Sequence, residues 1–99
     1  MINSSRILVT GAAGFIGSAL IKKLLLDNLN ILGLDNLNSY YSVKLKEDRL
    51  QSIDLLKSKN KGNWTFEKCD LVDRERIFET FSKFKPDIVV NLAAQAGVR

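Results

Sequence analysis

The sequence predicts an α/β fold: four parallel strands in the spatial order 3-2-1-4 with flanking helices, a partial doubly wound domain. Three observations carry that prediction. Short apolar runs at residues 6–10, 30–35, 64–69 and 87–92 alternate with longer stretches of helical periodicity. The first run ends in glycines spaced three apart, Gly11, Gly14 and Gly17, and the second ends in Asp35. Strands that alternate with helices are joined by right-handed crossovers, which makes the sheet parallel.

The first strand, R-I-L-V-T at residues 6–10, is rich in β-branched residues and closed by glycine, as suits a strand buried on both faces. Phe15, Ile16, Ala19, Leu20, Lys23 and Leu24 then fall at helical spacing, with Asp27 and Asn28 as the exit. N-I-L-G-L-D at 30–35 is the second buried strand, followed by polar loop chemistry at 36–39. Over 43–57, Leu45, Leu50, Ile53, Leu55 and Leu56 alternate with Lys44, Lys46, Glu47, Asp48 and Arg49, a second amphipathic helix. A loop containing Gly62 leads to W-T-F-E-K-C at 64–69, a third strand with one face less buried than its predecessors. Asp73 suits the N-cap of a helix running to about Phe84, with Ile77, Phe78, Phe81 and Phe84 as its buried stripe, and Pro86 stops it. D-I-V-V-N-L at 87–92 is the fourth strand, and a tail of mostly small residues runs to Arg99.

A chain of 99 residues is expected to form a single domain over 1–99, without room in these residues for a second, substrate-binding domain. Its 45% apolar and 26% charged residues exclude the disordered and fibrous classes. The net charge of +4 comes from cations interspersed with acids, and the densest group, Lys57, Lys59 and Lys61, is broken by Ser58 and Asn60. It reads as a solvated loop, so no nucleic-acid partner is expected. The single Cys69 lies in an apolar pattern and is expected to be a buried thiol in a reducing compartment. Residues 1–5 are too short and polar for a signal peptide, and Lys22, Lys23 and Asp27 interrupt the longest apolar region. No membrane partner and a cytoplasmic location are expected. With no histidine, a metal site or a His-based triad would need other residues, and neither is visible.

The glycine turn has a defined chemistry. The first glycine lets the chain turn sharply, the second lets backbone approach a pyrophosphate, and the third lets the helix pack close to the sheet. The helix start then offers N–H groups and the positive end of its dipole to the phosphates. Asp35 lies 18 residues beyond Gly17, near the spacing at which an acid receives the adenosine ribose hydroxyls. A carboxylate there repels a 2′-phosphate and no Arg follows it immediately, so NAD is favoured over NADP. The fold is therefore expected to be Rossmann-type. Asp70 ends the third strand on the same crevice, where it can accept from an adenine amino group or serve as a helix cap. Leu92, Ala93 and Ala94 end the fourth strand with side chains small enough for a dinucleotide to lie along the backbone. Tyr40 and Lys44 have the four-residue spacing of a phenol–ammonium pair, but they follow the second strand at the adenosine end, away from the nicotinamide, and are not read as catalytic.

T-G-A-A-G-F-I-G-S at 10–18, L-D-N-L-N-S-Y-Y at 34–41, Asp70-Leu71 and N-L-A-A-Q-A-G-V-R at 91–99 resemble the extended short-chain dehydrogenase/reductase family, and within it the nucleotide-sugar 4-epimerases of the UDP-glucuronate 4-epimerase type. The resemblance implies that Gly11, Gly14, Phe15, Ile16 and Gly17 surround the pyrophosphate. It further implies that Asp35, Asn36, Asn38 and Ser39 hold the adenosine ribose, Asp70 and Leu71 the adenine, and Leu92, Ala93, Ala94 and Gln95 the nicotinamide side. Such enzymes oxidise a UDP-sugar at C4 with tightly held NAD, rotate the keto intermediate and return the hydride to the other face. Asn91 stands where many relatives have His. In the family the catalytic Ser or Thr, the Tyr-x-x-x-Lys pair and the sugar-binding domain lie well beyond the position of Arg99, and Tyr40 with Lys44 is not that pair. The resemblance thus implies a cofactor portion that is inactive alone and takes a UDP-sugar only in a complete protein. A dehydratase or reductase parent and a stand-alone binding module are the alternatives. The fourth strand, left as an exposed apolar edge, is expected to favour self-association.

Overall fold

The computed structural model describes residues 5–27, 29–37, 43–57, 63–70 and 72–92. Along the chain they form β1 (Arg6–Thr10), α1 (Phe15–Leu25), β2 (Asn30–Asp35), α2 (Val43–Lys57), β3 (Asn63–Lys68), α3 (Arg74–Phe84) and β4 (Ile88–Asn91). The strands make one parallel sheet in the order β3-β2-β1-β4, the order expected from the sequence. In register, Ile7 faces Ile31 on one side and Ile88 on the other, and Thr10 faces Leu34 and Asn91. The carboxyl ends of β1 and β2 therefore finish side by side.

The alternation of side chains along each strand sorts the core into two layers. Ile7, Val9 and Ile31 pack with Ile21 and Leu25 of α1 and Ile53 of α2, with Trp64, Phe66 and Val90 against them. Leu8, Leu32 and Leu34 point to the other face, where Cys69 joins them and Ile77, Phe81 and Phe84 of α3 cover them in part. Both central strands are buried on both faces, which is why β1 and β2 read as continuous apolar runs. On β3 the Trp64 and Phe66 face is packed. Its other face carries Thr65 and Glu67, and Glu67 pairs with Arg76 at 2.7 Å and accepts from Thr80 Oγ1 at 3.2 Å.

Three helical stripes differ from expectation. In α1 the buried residues are Gly17, Ser18, Ile21 and Leu25, while Phe15 and Ile16 are 75% and 66% exposed. The close contact of Gly17 with Gly11 puts the Gly17 side of the helix inward and leaves Phe15 and Ile16 on the side away from the core. In α2, Leu45 and Leu55 are exposed and Lys46 is buried beside the core residue Ile53. In α3, Phe78 is 74% exposed and Thr80 is buried, its hydroxyl within reach of Arg76 O at 2.9 Å in the same helix and of Glu67 on β3 at 3.2 Å.

The ends of α3 follow local chemistry. The Asp73 carboxylate accepts from Arg76 N at 3.2 Å, the expected N-cap, and Lys85 closes the helix in the left-handed region at φ 52° just before Pro86. Burial pushes the Cys69 thiol up from its ordinary pKa against the opposing pull of Arg76, consistent with an inert buried sulfur. The outer strand β4 leaves Ile88 50% and Val89 46% exposed.

Candidate functional site

The site is built where β1 and β2 end. Gly11 turns the chain with φ 73°, a conformation that side-chain-bearing residues rarely adopt, and Gly14 N donates to Gly11 O at 3.0 Å to close the turn. A Cβ on Gly17 would lie 2.1 Å from Gly11 O, so α1 reaches the strand end only because this position has no side chain. A Cβ on Gly14 would sit 3.2 Å from the same oxygen. Each of the three glycines therefore has a separate structural duty.

α1 and α3 begin differently. α3 has the Asp73 cap and Glu75 in its first turn. α1 starts at Gly14 with no side-chain cap and no acid in its first turn, so the positive end of its dipole faces the crevice without a negative group of its own. Phe15 and Ile16, assigned to the pyrophosphate, form the exposed first turn there.

Asp35 closes the other side. Its Oδ2 accepts from Ala13 N of the glycine turn at 3.0 Å, and its Oδ1 accepts from Leu37 N at 2.8 Å. Ala12 N donates to Leu34 O at 3.1 Å, so the turn is stitched to β2 by backbone as well. Leu37 lies at φ 54°, an uncommon conformation for a branched residue, and its N–H bond to Asp35 holds it there. Asn36 lies between Asp35 and Leu37, within this turn.

Two residues of this neighbourhood are not singled out by the sequence motifs. Lys46 of α2 places Nζ 3.9 Å from Asp35 Oδ1, with both side chains nearly buried. Arg49 donates from Nη1 to Ala13 O at 3.2 Å and lies over the Phe15 ring at 5.9 Å. A signal exists: Lys46, Arg49, Leu50 and Ile53 are spaced i, i+3, i+4 and i+7, so they share the helix face on which Ile53 meets the core. Gly33 is likewise outside the motifs. A Cβ there would lie 2.6 Å from Trp64 and 2.7 Å from the Ala12 Cβ, so its lack of a side chain lets the glycine turn settle on β2.

Asp70 is exposed just past β3, and its Oδ1 accepts from Val72 N at 3.1 Å, a local turn bond that leaves the other oxygen for a partner. The helix cap is Asp73 instead. At the ends of β1 and β4, Thr10 Oγ1 donates to Asn91 Oδ1 and accepts from Leu92 N at 3.1 Å, which ties Leu92 to the crevice. Asn38, Ser39, Leu71, Ala93, Ala94 and Gln95, together with Tyr40 and Arg99, lie outside the described residues. Among the described residues no group of three or more Cys, Asp or Glu side chains is placed to hold a metal, and no helix is long and apolar enough to cross a membrane. A groove of about 330 Å³ bordered by Arg6, Leu32, Glu67, Arg76, Thr80 and Phe84 lies on the α3 face and is separate from this crevice.

Known proteins share the sequence pattern and the fold. The sequence profile of the NAD dependent epimerase/dehydratase family matches residues 7–99. Protein CapI of Staphylococcus aureus is 51% identical over 94 residues, which cover 95% of this chain and 26% of that protein. A UDP-glucuronate 4-epimerase of Thermodesulfobacterium geofontis is 39% identical over 92 residues, covering 93% of this chain and 27% of the relative. Among solved structures, the UDP-glucose 4-epimerase of Thermus thermophilus in complex with NAD matches with a TM-score of 0.67 at 36% identity, over 94% of this chain and 25% of that one. The chain thus spans about a quarter of the length of the relatives it matches.

Proposed function

The chain belongs to the NAD dependent epimerase/dehydratase family, and we propose that it forms the NAD-binding portion of a nucleotide-sugar 4-epimerase of the UDP-glucuronate 4-epimerase type. One observation carries this reading. Asp35 at the end of β2 and the glycine turn at the end of β1 meet through the Asp35 Oδ2 to Ala13 N bond of 3.0 Å, beside a helix start that carries no acid of its own. An acid for ribose hydroxyls and a cradle for diphosphate are thereby joined in one crevice.

In this reading the backbone around Gly11, Gly14, Phe15, Ile16 and Gly17 receives the pyrophosphate. Asp35, Asn36, Asn38 and Ser39 receive the adenosine ribose, Asp70 and Leu71 the adenine, and Leu92, Ala93, Ala94 and Gln95 line the nicotinamide side. Bound NAD would supply hydride acceptance from the sugar C4 and its return. The residues of this chain orient the dinucleotide; the Tyr-x-x-x-Lys pair and a sugar pocket would have to come from elsewhere, so the chain alone is inactive toward UDP-sugars.

Calorimetric titration of the 99-residue chain with NAD⁺ tests the assignment. One saturable site is expected, weakened about tenfold or more by Asp35→Ala, the scale of losing a charge-assisted hydrogen bond. Absence of saturable binding overturns the cofactor reading. Epimerisation of UDP-glucuronate by the purified chain overturns only the inactivity. A second reading, self-association, is favoured by one observation: β4 is an outer strand with Ile88 and Val89 half exposed.

A further inference from the structure

Lys46 is a buried ammonium in a helix that otherwise turns its lysines to water. Lys44 and Lys57 of α2 are exposed, whereas the Lys46 side chain is 9% exposed and lies 3.9 Å from an Asp35 carboxylate that is itself 8% exposed. Withdrawing a lysine from water is costly unless a charge faces it. The charge it faces is the group assigned to the adenosine ribose.

The contacts form a chain. Lys46 faces Asp35 Oδ1, Asp35 Oδ2 holds Ala13 N, and Arg49, one turn along α2 from Lys46, holds Ala13 O. The peptide groups flanking Ala13 are thus gripped from both sides, by a carboxylate and by a guanidinium. Each Asp35 oxygen accepts one backbone N–H and keeps a further lone pair, which meets a ribose hydroxyl only if the carboxylate is held in the right orientation. At Oδ1 the Lys46 ammonium of α2, 3.9 Å away, stands beside the Leu37 N–H bond of 2.8 Å.

We propose that Lys46 is a positioning residue for the adenosine ribose: by pairing with Asp35 it fixes the carboxylate so that its free lone pairs meet the ribose 2′-hydroxyl. The proposal rests on the assignment of this crevice to an adenine dinucleotide. It adds α2 to a site that the motifs place only on the ends of the strands and the start of α1. In this proposal Lys46 acts on the cofactor through Asp35, so its effect is expected at the hydroxyl that Asp35 reads.

ADP and 2′-deoxy-ADP differ only at the hydroxyl in question and are the probes of choice. The full 99-residue chain is expected to bind ADP about tenfold more tightly than 2′-deoxy-ADP, the scale of one hydrogen bond to a charged acceptor. Lys46→Met should bring that ratio to within about twofold of unity, and Lys46→Arg, which keeps the charge, should preserve most of it. In the Asp35→Asn background, Lys46→Met should leave the ratio unmoved, the mark of a coupled pair. Thermal melts of each variant establish that it folds. A Lys46→Met protein that loses affinity for both probes in equal proportion overturns the proposal and leaves Lys46 a structural residue. If Lys46→Met does not fold, the ratio in Lys46→Arg decides: a ratio unlike that of the original chain overturns it. Failure of the original chain to bind NAD⁺ or ADP overturns the cofactor reading itself, and equal binding of both probes by the original chain removes Asp35 from the ribose.

Discussion

Gly17 is the residue at which the fold and the site make the same demand. A Cβ there would meet Gly11 O at 2.1 Å, well inside contact distance, and the atom it meets is backbone, which cannot swing aside. Gly17→Ala must therefore push the start of α1 away from the end of β1 or unseat the turn. Overpacking of this kind costs about 1–3 kcal/mol, and urea unfolding should show at least that loss. The displaced helix start should also abolish measurable NAD⁺ binding at concentrations that saturate the original chain. Gly17 is legible as a functional residue because three glycines spaced three apart have few other uses after a buried strand. Gly33 is not, because its partners are Trp64 and Ala12, each 21 or more residues away in the chain, and a glycine inside a strand does not announce who approaches it.

At the scale of the element, the strands announce themselves and the helices announce only their extent. β1 and β2 are buried on both faces, so their interiors, Ile7 to Val9 and Ile31 to Leu34, carry no polar side chain and the boundaries are those the sequence implies. α2 has the expected bounds, yet its inward face carries Lys46 and Arg49, which composition assigns to water. α3 is an amphipathic helix with a defined start, and its cap is testable alone. Asp73→Ala removes the acceptor of the Arg76 N–H and should cost about 1 kcal/mol, lowering the urea midpoint. Trp64 is a convenient reporter of that transition, since it packs against the core and its Nε1 donates to Asp54 at 2.8 Å.

At the scale of the whole molecule, the sheet is covered unequally. α1 and α2 share one face, and α3 alone crosses the other among the described residues, leaving Phe78 outward and the groove beside Arg6 and Leu32 partly open. Among the described residues β4 pairs with β1 on one side only. Outer strands with exposed apolar side chains pair readily with other chains, so light scattering should show a mass that rises with concentration. Val89→Lys places a charge on that strand and is expected to hold the chain as a monomer, while NAD⁺ affinity stays within about twofold because Val89 lies away from the crevice. A mass independent of concentration in the original chain would exclude association through this edge.

The order of the elements, the glycine turn and the acid opposite it were determined by the sequence itself, because each is written in a pattern a few residues long: a run of apolar side chains, a spacing of glycines, a strand-ending carboxylate; the strand sequence 3-2-1-4 follows from the fold class those patterns indicate. The tertiary structure decided which side of each helix faces inward and who stands behind Asp35. Helix phase depends on how near a helix is allowed to approach, and here Gly17 against Gly11 sets it and turns Phe15 and Ile16 outward. The Asp35–Lys46 pair and the Arg49–Ala13 bond join residues 11 and 36 positions apart. No local pattern encodes such a meeting, since it exists only after α2 has packed on α1 and carried its two cations to the turn.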